Sequence, residues 1–182
     1  MFLKVIITVS LMFFTVSLSQ AQQGKPEDAD KIITTAYKEA KATHKNVFLI
    51  FHASWCSWCK RLEKAIQSDE LKKIFEDNFV ITHLDVLERG DKIAALENPG
   101  GKEYLNKFGG EKSGLPFYVF LNSKKKMLAN SNVMPGDQNI GYPGTSEEIA
   151  KFGELLKSSA KKMDKKQLQA ILEFFKKTAP KR

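Results

Sequence analysis

The sequence predicts an α/β domain in which a central mixed β-sheet is flanked by helices on both faces, and three observations carry that. An unbroken apolar run, Val47-Phe48-Leu49-Ile50-Phe51, reads as a strand buried on both sides. A helical pattern with Leu62, Ala65 and Ile66 on one face follows it, and then a second strand pattern, Phe79 to Val86. Strand, helix, strand predicts a parallel pair joined by a right-handed crossover. Two later strand patterns, Pro116 to Leu121 and Met127 to Val133, flank the turn sequence Asn122-Ser123-Lys124-Lys125 and predict an antiparallel half.

The remaining elements fit around this sheet. Asp28 to Lys45 is a helix candidate with Ile32, Ile33, Ala36, Tyr37 and Ala40 as its stripe. Ser68 breaks the helix after the first strand and offers a cap to a short second piece, whose Leu71, Ile74 and Phe75 face inward. Leu87 to Gly114 is the least regular stretch. A loop insertion is expected at Glu88 to Gly101, then a short helix near Glu103 to Phe108, stopped by Gly109-Gly110. Pro135 to Gly144 reads as a second long loop. Thr145-Ser146-Glu147-Glu148 is a capping box, with Ile149, Phe152, Leu155 and Leu156 behind it. Asp164 with Gln167 caps a last helix, Lys165 to Lys177, striped by Leu168, Ile171, Leu172 and Phe175. That stripe either packs on its own domain or docks a partner.

At 182 residues the chain suits one domain with a proper core. The formal charge of +8 comes from lysines spread along the chain and denser toward the C-terminus. No recognition motif accompanies it, so a solvated basic surface is expected and nucleic acid is not. Met1-Phe2-Leu3-Lys4, the apolar run Val5 to Leu18, and the small residues of Ser19-Gln20-Ala21 form a secretory signal pattern. Cleavage would leave Gln22 first and no stable membrane anchor. An uncleaved anchor is the rival, although the run is shorter than the ~20 apolar residues a spanning helix needs. No cysteine follows the run to carry a lipid, and Ala179-Pro180-Lys181-Arg182 is not a retention tetrapeptide. The expected organisation is signal peptide 1–21, flexible lead 22–30, main domain 31–160, and added helix and tail 161–182, in a bacterial periplasm.

The chemistry centres on Trp55-Cys56-Ser57-Trp58-Cys59-Lys60, which holds the chain's only two cysteines. At a strand-to-helix junction, this spacing puts both sulfurs on the first helical turn, within reach of a disulfide. Open N–H groups and the helix dipole there stabilise a thiolate, the nucleophile of thiol–disulfide exchange. A structural staple is a poor alternative, because so small a loop removes little chain entropy. Metal binding by His52, Cys56 and Cys59, with help from His44 or His83, lacks an evident fourth ligand, so no metal site is expected.

The motif resembles the active-site signature of the thioredoxin family. A second family landmark stands about 60 residues on, in Gly114-Leu115-Pro116-Phe117-Tyr118-Val119-Phe120. The resemblance runs from about Asp30 to about Ser159, and implies a thioredoxin fold with one helix added at the C-terminus. It implies Cys56 as nucleophile, expected to be the more exposed sulfur, and Cys59 as the buried resolving thiol. It also implies a cis Pro116, with the backbone of Leu115 offered to an extended substrate. Trp55 and Trp58 flank the nucleophile as substrate-binding candidates, although Trp55 could simply pack on the sheet. Trp58 and Ser57 bring no positive charge, which favours a reductase or mild exchanger over a strong oxidant.

Two departures from the family bear on proton transfer. Ile50 stands where thioredoxin has a buried aspartate, and His52 where it has an aromatic residue. His52 reads as a proton relay or as a hydrogen-bonded structural histidine. Glu63, one turn beyond Cys59, reads as a second proton acceptor or as an exposed carboxylate paired with a lysine. The resemblance implies no bound cofactor. Its implied partners are protein disulfide or dithiol substrates and a redox donor protein, for a monomer or weak dimer. A client-binding module with an incidental dithiol and a Cys/His metal carrier are the alternatives.

Overall fold

A computed structural model describes residues 25–180. The expected signal segment and Gln22 to Gly24 lie outside these residues, as do Lys181 and Arg182. The sheet is organised on β1 (Asn46–His52), which pairs in parallel with β2 (Phe79–Asp85) and antiparallel with β3 (Phe117–Leu121). A fourth strand, β4 (Met127–Asn130), pairs antiparallel with β3, giving the order β2-β1-β3-β4. Phe48, Ile50, Tyr118 and Phe120 point to one face, and Val47, Leu49, Phe51, Phe117, Val119 and Leu121 to the other. Both faces of the central strands are covered, which is why those strands are apolar at every position rather than alternating.

The first face is covered by α2 (Ser57–Ile66), α3 (Lys72–Asn78), α6 (Ser146–Ser159) and α7 (Lys165–Lys177). The second is covered by α1 (Ala29–Ala42) and α5 (Gly101–Lys107). Between β2 and α5, the segment expected as an inserted loop contains a short exposed helix, α4 (Lys92–Leu96). The capping boxes predicted for α6 and α7 are both formed.

Three details differ from the sequence reading. Residues 29 and 30, placed in the flexible lead 22–30 as well as in the helix pattern from Asp28, belong to the helix and open α1. Asp28 caps the helix by accepting from the Asp30 N–H, and Ala29 N–H bonds the Pro99 carbonyl. Ser68 does not cap α3 with its side chain. Its hydroxyl donates back to Ala65 O, while its own carbonyl accepts from Leu71 and Lys72. The strand expected over Met127 to Val133 is split at Ser131. That buried side chain accepts from Tyr118 N–H, a bond the β-ladder would otherwise direct to a carbonyl. The chain then leaves the sheet as β5 (Asn132–Met134), which turns at Gly136 and Asp137 and pairs with β6 (Gln138–Asn139).

The added helix α7 packs on its own domain. Ile171 and Phe175 are buried in the first-face core. The absence of a side chain at Gly153 lets α6 and α7 approach, since a Cβ there would lie 2.8 Å from Leu172 Cδ2. Phe175 sits between Phe152 and Tyr142, with ring centroids 5.2 and 5.5 Å away. Phe175→Ala should therefore lower unfolding free energy by about 3–5 kcal/mol, the usual loss for a buried phenylalanine. Urea denaturation checks it, and an unchanged midpoint would mean that α7 is peripheral to the fold.

Candidate active site

The site is built where β1 ends. Ala53, Ser54 and Trp55 turn the chain into α2, and Cys56 is the N-cap of that helix. Its sulfur accepts a hydrogen bond from Cys59 N–H at 3.1 Å, as a serine or aspartate cap would. One helical turn brings the two Cα atoms to 5.3 Å, and the sulfurs are bonded to each other. Both residues are buried, Cys56 at 3% exposure and Cys59 at 5%, so the expectation that Cys56 is the more exposed does not hold in this oxidised form. On reduction, the N-terminal amides of α2 are the groups that would stabilise a charge on Cys56.

The turn is braced from the segment after β2. The buried carboxylate of Glu88 accepts from both the backbone N–H and the hydroxyl of Ser54, and Lys92 Nζ reaches the same hydroxyl at 3.3 Å. Trp55 donates its indole N–H to Leu87 O at 2.8 Å, and the Arg89 guanidinium lies 3.9 Å from its ring centre. Trp55 remains 40% exposed, a lid over this brace rather than a core residue. The sequence marks Glu88 only as the start of an insertion. Nothing in its sequence neighbourhood marks a buried carboxylate, because its partner lies 34 residues away.

On the other side of the dithiol is a cleft of about 760 Å³, lined by Trp58, Leu115 and Tyr142 among others. Trp58 is 46% exposed and stacks on Tyr142 with ring centroids 5.8 Å apart. The Arg61 guanidinium lies 5.0 Å from the Tyr142 ring centre and donates to Thr178 O at 2.6 Å, just past α7. The Leu115–Pro116 peptide is cis, as the resemblance implies, and the Leu115 side chain packs on Ala53, Cys56 and Cys59. Trp58 and Leu115 thus line the cleft, Pro116 is buried next to Leu115, and Trp55 stands on the opposite flank.

His52 and Glu63 fall into one polar cluster on the α2 face of the sheet. His52 Nε2 lies 3.3 Å from Asp85 Oδ1, its cross-strand partner. Glu63 pairs with His83 at 2.8 Å rather than with a lysine, and the two histidine rings lie 5.1 Å apart. Burial holds the His52 imidazole below its ordinary pKa despite the pull of Asp85. Burial likewise pushes Asp85 up, whereas the hydrogen bond from His83 draws Glu63 down. Ile50 is buried in register with His83, so this cluster borders the position where the family carries an aspartate. Among the described residues, no group of three or more His, Cys, Asp or Glu side chains is placed to hold a metal ion.

A family profile described as thioredoxin-like matches residues 30–123, more than half of the chain. The chain belongs to the thioredoxin-like family. Its fold is that of the thioredoxin-like disulfide oxidoreductases, with a Cys-x-x-Cys pair at disulfide distance. An uncharacterized protein of Caenorhabditis elegans is 30% identical over 114 residues, which are 60% of this chain. This chain spans only 14% of that relative's length. A disulphide isomerase from Xylella fastidiosa Temecula1 is 25% identical, with 82% of this chain and 90% of that one covered, at a TM-score of 0.49. The C-terminal domain of DsbD from Neisseria meningitidis, in its oxidised form, is 18% identical, with 59% and 84% covered, at a TM-score of 0.44.

Two outcomes follow from the brace and the cluster. Glu88→Ala leaves the Ser54 N–H without its partner in a part-buried site, and should cost about 1–3 kcal/mol by chemical denaturation. Loss of less than a few tenths would show that solvent satisfies that N–H. The His52 shift has a definite sign. The unfolded chain protonates near 6.5 and the folded protein only at lower pH, so stability falls as pH drops through that window. The urea midpoint should decline between pH 7.5 and 5.5, and His52→Gln should flatten that decline. An identical slope in the variant would assign it to other groups.

Proposed function

We propose that this protein catalyses thiol–disulfide exchange on exported proteins, acting as a reductase or mild exchanger in a bacterial periplasm. The observation that carries the reading is Cys56 as the N-cap of α2, joined to Cys59 and bordered by an open cleft. In the reduced protein, the Cys56 thiolate attacks a substrate disulfide. A mixed disulfide forms, and the first substrate sulfur leaves as a thiolate that takes up a proton. The Cys59 thiolate then attacks Cys56 Sγ, which closes the 56–59 disulfide and releases the second substrate thiol. Two electrons and two protons pass to the substrate, and a donor protein returns them.

The cleft suits an extended segment of a protein substrate. Trp58 and Tyr142 supply an apolar wall, and the peptide unit at Leu115 supplies an edge for backbone pairing. His52, with Asp85 and the Glu63–His83 pair beside it, takes the proton-handling role that the buried aspartate of the family performs. The direction of electron flow follows from Ser57 and Trp58, which place no cation between the cysteines. Export rests on the N-terminal signal pattern, and Gln22 should be the first residue of protein recovered from a periplasmic fraction.

The decisive experiment uses two variants. Cys56→Ser should abolish reduction of insulin disulfides, and Cys59→Ser should accumulate a mixed disulfide with the substrate that dithiothreitol releases. A Cys56→Ser protein that still binds unfolded clients, beside a wild type without activity, would point to a client-binding module instead. The 56–59 reduction potential should lie nearer about −270 mV than about −120 mV, and a value near the latter would make the protein a disulfide donor.

A further inference from the structure

The cleft is walled on one side by the β5–β6 hairpin, whose cross-strand pair Asn132 and Asn139 both reach the loop that carries Leu115. Asn139 Nδ2 donates to Gly114 O at 2.6 Å and to Pro116 O at 3.0 Å, the carbonyls on either side of Leu115. Its Oδ1 accepts from Gly141 N–H at 3.1 Å. The amide can take only this orientation, because the two carbonyls can only accept and the Gly141 N–H can only donate. Asn132 holds the upstream part of the same loop. Its Nδ2 donates to Gly109 O at 2.9 Å, and its Oδ1 accepts from the Ser113 hydroxyl at 2.8 Å.

These bonds bracket Leu115 without using it. Among the described residues, neither the N–H nor the C=O of Leu115 makes a hydrogen bond, although its side chain rests on Cys56 and Cys59. The two backbone hydrogen-bonding groups of Leu115, beside the disulfide, are therefore left open while the carbonyls of Gly114 and Pro116 are tied down. We propose that the Asn132–Asn139 pair is a positioning device for the substrate chain. It fixes the 109–116 loop so that the Leu115 N–H and C=O pair with an extended segment flanking the substrate disulfide. Without the pair, the loop must be ordered at each encounter, and substrate affinity falls. A small disulfide has no flanking backbone to pair and does not depend on the device. The inference rests on the proposed exchange activity and adds the residues that select protein over small-molecule disulfides.

The test compares wild type with Asn139→Asp, which can no longer donate to the two carbonyls, and Asn139→Leu, which removes all three bonds. Reduction of insulin should lose roughly ten-fold in kcat/KM, mainly through KM. Reduction of 2-hydroxyethyl disulfide and the 56–59 reduction potential should stay within about two-fold and unchanged, respectively. An equal loss on both substrates, or undiminished insulin reduction, would overturn the positioning role. Thermal unfolding checks that each variant folds, and Asn132→Ser, which releases Gly109 and Ser113, carries the same comparison if Asn139→Leu does not. A wild type inactive on both disulfides would instead remove the exchange reading on which this one stands.

Discussion

The junction between β1 and α2 is held by a carboxylate that arrives from another part of the chain. Cys56 can serve as the N-cap of α2 only if Ala53 to Trp55 leave the sheet in one defined turn, and Glu88 fixes that turn by bonding both polar groups of Ser54. Hydrogen bonds to a charged acceptor are the stronger kind, about 1.5–3 kcal/mol each. Placing a buried carboxylate there is costly by itself, so the two bonds from Ser54 are what make it tolerable. Trp55 then lies against Leu87 and Arg89 of the same segment. The dithiol is thus placed by β2 and the loop after it, as well as by the strand it follows.

On the cleft side, function and core share side chains. Trp58 stacks on Tyr142, Tyr142 meets Phe175 at a tilt, and Phe175 with Phe152 and Phe152 with Tyr118 meet edge to face. That aromatic column runs from an exposed ring beside the cysteines into the first-face core, with α7 as one of its links. Arg61, packed over Tyr142 and bonded to Thr178 O, ties α2 to the end of α7 at the same place. The added helix therefore supports the wall of the cleft, which gives its apolar stripe a use within the domain.

How much of this was legible follows from the range of each signal. Strands β1, β2 and β3 and helices α1, α2, α6 and α7 announce themselves by local periodicity and caps, which depend on residues within a few positions. The dithiol was equally plain, since Cys56, Trp58 and Cys59 are adjacent in sequence. What stayed hidden depends on long-range partners. Glu88 gains its role from Ser54, 34 residues away, and Glu63 from His83, 20 residues away. The β5–β6 hairpin was lost for a different reason. Three residues paired with two make almost no periodic pattern, and the Ser131 hydroxyl that ends β4 looks like any polar strand residue.

Ile50 joins these threads. An apolar residue at that position keeps the first-face core continuous beneath α2 and removes an ionisable group from the interior. The titratable groups are moved instead to the β2 side, where His52, Asp85, His83 and Glu63 lie partly open to solvent. An imidazole exchanges protons nearer neutral pH than a carboxylate does, although burial lowers the His52 pKa. Because burial outweighs Asp85 in setting the His52 pKa, the imidazole is biased toward its neutral form, which can accept a proton. A neutral acceptor is what the resolving step requires, since Cys59 must lose its proton before it attacks Cys56. The apolar Ile50 thus sits beside titratable groups gathered toward the ends of β1 and β2, an arrangement that supports the proton-handling role proposed for His52.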